Sequence, residues 1–141
     1  MAMSNNEIQV LWAAASSKSV ASGAGEISDS FTFSVDRVAG SISCKASNNG
    51  TAVSNDYIDF YLLQTTGDPD GASTNEYDSA DITNALYLGR VDTYYGVSGV
   101  AQSTFEIPVS ALGAKIRAKS AAASNGITVS ASINEVLSGL T

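Results

Sequence analysis

A chain of 141 residues is the size of one domain, and 44% hydrophobic against 15% charged residues excludes a disordered acidic tail. Seven basic against fourteen acidic residues leave a net charge of −7, which argues against both nucleic acid and a membrane surface as partners. There is no histidine and a single cysteine, Cys44, so Ser-His and Cys-His nucleophile pairs, an internal disulfide and CxxC sites are all ruled out.

Met1 to Glu7 is polar and lacks the basic-then-apolar order of a signal peptide. No apolar stretch approaches the ~18–20 residues of a bilayer span, so folding in a reducing cytoplasm is expected. Ile8, Val10 and Trp12 then alternate with Gln9 and Leu11, which predicts a half-buried strand. Ala13 to Gly25 is small and Ser-rich. It reads as a strand and a loop, or as a flexible arm carrying the Trp12 strand away from the body. Residues 1–25 are therefore assigned to an N-terminal strand or arm, and 26–141 to the body.

Phe31, Phe33 and Val35 alternate with Thr32 and Ser34. Val38, Gly40, Ile42, Cys44 and Ala46 share one face of the next strand, and Asn48-Asn49-Gly50 supplies a turn that tolerates positive φ. Tyr57 to Leu63 is the most apolar run and carries bulk on both faces, which predicts a central strand covered on both sides. Thr65 to Asn84 is polar and dense in turn formers, with room for a helical turn over 79–84. Strand character returns at Leu86, Leu88 and Val91 and breaks at Gly96 and Gly99. Phe105, Ile107 and Val109 predict another strand, one that is an edge or ends at Pro108, which has no N–H. Lys115, Arg117 and Lys119 alternate with Ile116 and Ala118. After the turn at Asn125-Gly126 comes a last strand through Ile127, Val129, Ala131 and Ile133. About eight short strands at this spacing predict an all-β chain, a single-domain antiparallel β-sandwich of jelly-roll type.

The charge is unevenly placed. No basic residue stands between Lys45 and Arg90, while Asp56, Asp59, Asp68, Asp70, Glu76, Asp78 and Asp81 all do. Asp68, Asp70 and Asp78 read as an acidic patch or as part of a solvated loop. The helix-loop-helix calcium pattern fails, because Gly71 stands fourth and Ser79 twelfth from Asp68. Asp68, Asp70, Glu76 and Asp78 are left as weak candidates for an irregular cation site. Lys115, Arg117 and Lys119 put three cations on one strand face, either to meet an acidic loop of a neighbouring subunit or to protect an edge strand from unwanted pairing. Asp56 and Asp59 are close in sequence, but no second motif makes them an acid/base pair. Tyr77, Tyr94 and Tyr95 are candidates for a sugar-stacking platform. Cys44 shares the apolar face with Ile42 and reads as a buried inert thiol. Nothing calls for a cofactor, and no catalytic residue is expected.

Asp56-Tyr57-Ile58-Asp59-Phe60-Tyr61-Leu62-Leu63, followed by Gly67-Asp68-Pro69-Asp70-Gly71-Ala72-Ser73-Thr74, resembles small virion proteins of tailed bacteriophages. So do Leu88-Gly89-Arg90-Val91-Asp92-Thr93 with the strand from Ile127 to Glu135, and Trp12 with the segment from Lys18 to Gly23. The resemblance covers most of the chain, but as strand phrases rather than a chemical motif. It implies a capsid decoration (cement) protein on the outer surface of the virion, bridging copies of the major capsid protein as a homo-oligomer such as a trimer. In that role Ile8, Val10 and Trp12 would make an arm-like contact, with Asp68, Asp70 and Asp78 facing Lys115, Arg117 and Lys119 between neighbours. The alternatives are a tail, neck or head-fibre component, or a carbohydrate-binding module for host recognition.

Overall fold

The computed structural model describes residues 2–65, 85–108 and 113–139. Among them the chain is all-β, with ten strands: β1 (Ser4–Gln9), β2 (Lys18–Val20), β3 (Gly25–Ile27), β4 (Phe31–Thr32), β5 (Arg37–Asn48), β6 (Tyr57–Thr65), β7 (Leu86–Asp92), β8 (Val100–Glu106), β9 (Gly113–Ser120) and β10 (Ile127–Leu137). They form two antiparallel sheets. In the first the order is β1-β10-β5-β8, with β2 also pairing β10. In the second it is β3-β9-β6-β7, with β4 also pairing β9. The two sheets face each other as the sandwich that the alternating pattern predicts.

Period-two alternation explains the core. Ile42, Cys44 and Ala46 of β5 and Val129, Ala131 and Ile133 of β10 point inward from the first sheet. Ile58, Phe60 and Leu62 of β6, Val91 of β7 and Ala114, Ile116 and Ala118 of β9 meet them from the second. Each fully buried Val, Leu, Ile or Phe contributes about 1.5–3 kcal/mol. Glycine is required where β7 of the second sheet meets β8 of the first. A Cβ on Gly89 would stand 2.3 Å from the Phe105 ring, and the ladder between β6 and β7 slips by a bulge at Phe60/Tyr61 beside it.

The N-terminal segment is not an arm. β1 pairs β10 in register from Ser4↔Leu137 to Gln9↔Ser132, and the Val10 amide continues to the Ala131 carbonyl. Val10 is fully buried, Trp12 is 2% exposed and Ile8 packs against the same core. The three residues are therefore held within the chain's own fold. The physical reason is twofold: β10 needs hydrogen-bond partners along that edge, and an indole gains most by burial. Residues 2–25 run along one edge of the sandwich, with β2 on the first sheet and the start of β3 on the second.

A second correction concerns Lys115, Arg117 and Lys119. They do share one outward face, between buried Ala114, Ile116, Ala118 and Ser120. Their strand, however, is interior, with β6 on one side and β3 and β4 on the other. Edge protection is not their role. β6 is interior to its sheet, as its bulk predicts, but it is not covered on both faces: Ile58, Phe60 and Leu62 are buried while Tyr57, Asp59 and Tyr61 stay part-exposed on the outward face. β8 is an edge strand that ends just before Ile107-Pro108.

Candidate functional site

One end of the sandwich gathers three connections: 49–56 after β5, 93–99 after β7, and 121–126 after β9. Asp56 is the hub beneath them. It is fully buried, and its carboxylate accepts from Asn48 Nδ2 (3.1 Å), Val53 N (2.9 Å) and Ala123 N (3.2 Å). Its backbone carbonyl accepts from Thr93 N (3.0 Å) and Thr93 Oγ1 (2.8 Å). A buried carboxylate is tolerated only when donors replace its water. Here those donors come from the end of β5 and from connections 49–56 and 121–126, while 93–99 is tied through the Asp56 backbone carbonyl.

On this base stands an exposed aromatic pair. The Tyr94 and Tyr95 rings meet edge-on, 5.2 Å between centroids, and Tyr95 is 82% exposed. The Asp92 carboxylate accepts from Tyr94 N (2.9 Å) and shapes the start of the connection. Val97 and Val100 then close a two-residue turn in which Ser98 and Gly99 both have positive φ (53° and 75°). Beside Tyr94 lies a depression of about 320 Å³ lined by Gly50, Thr51, Ala52, Ser98 and Gly99. An aromatic wall, two hydroxyls and open backbone are what stacking and hydrogen bonding to a sugar require.

The outward face of the second sheet carries a different constellation. Register places Asp59 beside Lys119 on one side and Arg90 on the other, and Tyr61 beside Arg117 and Tyr87. Asp59 Oδ1 accepts from Tyr87 Oη (2.8 Å) and pairs with Arg90 Nε (3.2 Å). The Arg90 guanidinium also lies 3.5 Å from the Tyr57 ring centroid. Tyr61 and Tyr87 are in ring contact at 5.3 Å, tilted by 54°. Partial burial pushes both phenols above their ordinary pKa, and Asp59 adds to it, through its charge for Tyr61 and through the hydrogen bond for Tyr87.

The other sequence candidates divide plainly. Asp56 and Asp59 do not face a common cleft, since one is the buried hub and the other lies on the outward face in an ion pair. Asp68, Asp70, Glu76, Asp78 and Tyr77 lie outside the described residues. Among the described residues no cluster of three or more Cys, Asp or Glu is placed to hold a metal. Cys44 is buried and its thiol is pushed up to about 12 by desolvation. Tyr61, Tyr87 and Arg90 were not singled out from sequence. Tyr87 and Arg90 are three residues apart and share a face only because the β6–β7 ladder slips at Phe60/Tyr61, which neither spacing nor alternation discloses.

No family model matches the chain, and no curated protein matches it. Solved structures do. The C-terminal CBM6 of LamC, a marine laminarinase from Zobellia galactanivorans, is similar with a TM-score of 0.51 and 12% identity, over 92% of this chain and 99% of that one. The CBM22-1–GH10 modules of xylanase 10B from Clostridium thermocellum give a TM-score of 0.44 at 12% identity, over 90% of this chain and 25% of that one. The first likeness establishes the fold: this chain has the β-sandwich of a CBM6 module.

Proposed function

We propose that this chain is a non-catalytic glycan-binding module that holds a sugar at the loop end of its sandwich. The observation that carries the reading is the Tyr94–Tyr95 pair beside the 320 Å³ depression, on connections anchored by buried Asp56. A rigid base lowers the ordering cost of binding, because the aromatic wall is in place before the ligand arrives. The solved module that shares this fold is a carbohydrate-binding module by name, which supports the same reading. Shell adhesion through an N-terminal arm draws less support, since Val10 and Trp12 are core residues.

Affinity electrophoresis against soluble polysaccharides, with laminarin as the first probe, tests the proposal. Retardation should fall at least about tenfold in Tyr94→Ala and in Tyr95→Ala, with the melting temperature unchanged, because both side chains project from the fold. A glycan array with no retained ligand would sink it.

A further inference from the structure

The seven basic residues of this acidic chain are not scattered. Arg90, Lys115, Arg117 and Lys119, four of the seven, lie on the outward face of the second sheet. Two of them make no ion pair among the described residues. Arg117 makes no ion pair, its Nε is buried without a hydrogen-bond partner, and its guanidinium rests against Gly25. Lys119 donates its ammonium to the Gly23 carbonyl, which holds it in place, while its cross-strand neighbour Asp59 is engaged by Arg90. Arg90, by contrast, is held by Asp59 and by the Tyr57 ring.

Between these cations stands an aromatic surface. Tyr87 is 51% exposed, Tyr61 is half-buried against it, and the two rings open at 54°. Asp59 fixes the Tyr87 hydroxyl and Arg90 together, so the platform is ordered before anything binds. Neighbouring strands are about 4.8 Å apart, so the row Arg117–Tyr61–Tyr87 spans about 10 Å. At physiological salt charges are screened beyond about 8 Å, so this patch acts by its local charge rather than by the −7 of the whole chain.

We propose that this face is a second binding surface, separate from the loop end, that takes an anionic polysaccharide with uronate units. A sugar ring stacks over Tyr61 and Tyr87 while carboxylates of the same chain meet Arg117 and Lys119. The two requirements, a flat saccharide face and a negative charge close beside it, are met together by a polyuronate. A neutral glucan lacks the charge and an acidic peptide lacks the repeating ring.

The test uses the full chain carrying Tyr94→Ala and Tyr95→Ala, so that the loop end makes no contribution. Isothermal titration with polygalacturonate at low salt should give binding that weakens steeply as NaCl is raised. Adding Tyr87→Ala, an exposed side chain, should weaken it at least about tenfold with the melting temperature unchanged, and Arg117→Gln should reduce the salt dependence. Fully methyl-esterified polygalacturonate should not bind. Equal binding of the esterified polymer, equal binding of poly-glutamate, indifference to Tyr87→Ala, or no binding at all each overturn the proposal. Loss of laminarin binding in the starting variant bears on the loop end alone, so the two readings fail separately.

Discussion

At the scale of single residues, the turn at Trp12–Ala15 is held against its own chemistry. Ala13 and Ala14 both have positive φ (49° and 66°), a conformation that asparagine and glycine adopt with less strain. The Asp29 carboxylate holds the turn by accepting from both of their amides, at 3.1 and 2.9 Å. Ala13→Asn with Ala14→Gly should therefore raise stability by about 1 kcal/mol or more in urea melts, and Asp29→Ala should lower it by about 1 kcal/mol. Cys44 offers a test in pH. Its thiol is raised from 9.0 to about 12, so above pH 9 the unfolded chain releases this proton while the folded chain keeps it. The stability this thiol confers is complete below pH 9 and is lost as pH climbs towards 12. The slope contributed is at most about 1.4 kcal/mol per pH unit. Urea midpoints followed from pH 9 upward should fall less steeply in Cys44→Ala than in the parent.

At the scale of elements, β1 completes the fold as an edge strand. It pairs with the C-terminal half of β10, and Asn6 also donates to buried Glu135, whose carboxylate accepts from Ser34 N and Oγ as well. Deleting residues 2–9 strips that edge and leaves Glu135 one donor short. A loss of about 2 kcal/mol or more is expected, with concentration-dependent association through the bared β10. Unchanged stability after the deletion would restore the arm reading. The strand faces were legible in the sequence because alternation is local, and Ile58, Phe60 and Leu62 or Ile127, Val129 and Ile133 show it directly. β3 was not, because three residues are too few to display a period, and β4 reads too long: the strand ends at Thr32, and Val35 is exposed rather than facing the core with Phe31 and Phe33. Without β3 beside it, β9 could be read as an edge, which is why edge protection is one of two readings of its cations from sequence.

At the scale of the molecule, the two sheets share one core, so they should unfold as a single cooperative unit. Trp12, the only tryptophan, is 2% exposed among side chains of that core and reports on its integrity. Its fluorescence change and the loss of far-ultraviolet ellipticity should coincide along a urea titration. Two separate transitions would show that the sheets are independent. Asp56 ties three connections at the loop end, and Asp56→Ala should cost about 2 kcal/mol, because the part-buried amides of Asn48, Val53 and Ala123 lose their shared acceptor. In the same variant laminarin retention should fall even where the protein is still folded, since Tyr94 and Tyr95 then stand on a loosened base.

The sequence by itself determined the class: period-two alternation, turn residues at short intervals and the lack of histidine dictate a strand-built body with no conventional nucleophile pair. It also marked Tyr94 and Tyr95, since neighbouring aromatics in a Gly-rich connection are visible without a fold. Only the tertiary structure decided which strands are neighbours. Pairing in an antiparallel sandwich joins residues far apart in the chain, as Asp59 joins Arg90 and Asp56 joins Ala123, and strand periodicity tells which face is buried but not which strand is the partner. That is why the Tyr61–Tyr87–Arg117 row, the Asp56 hub and the burial of Trp12 all emerged from three-dimensional contact rather than from spacing.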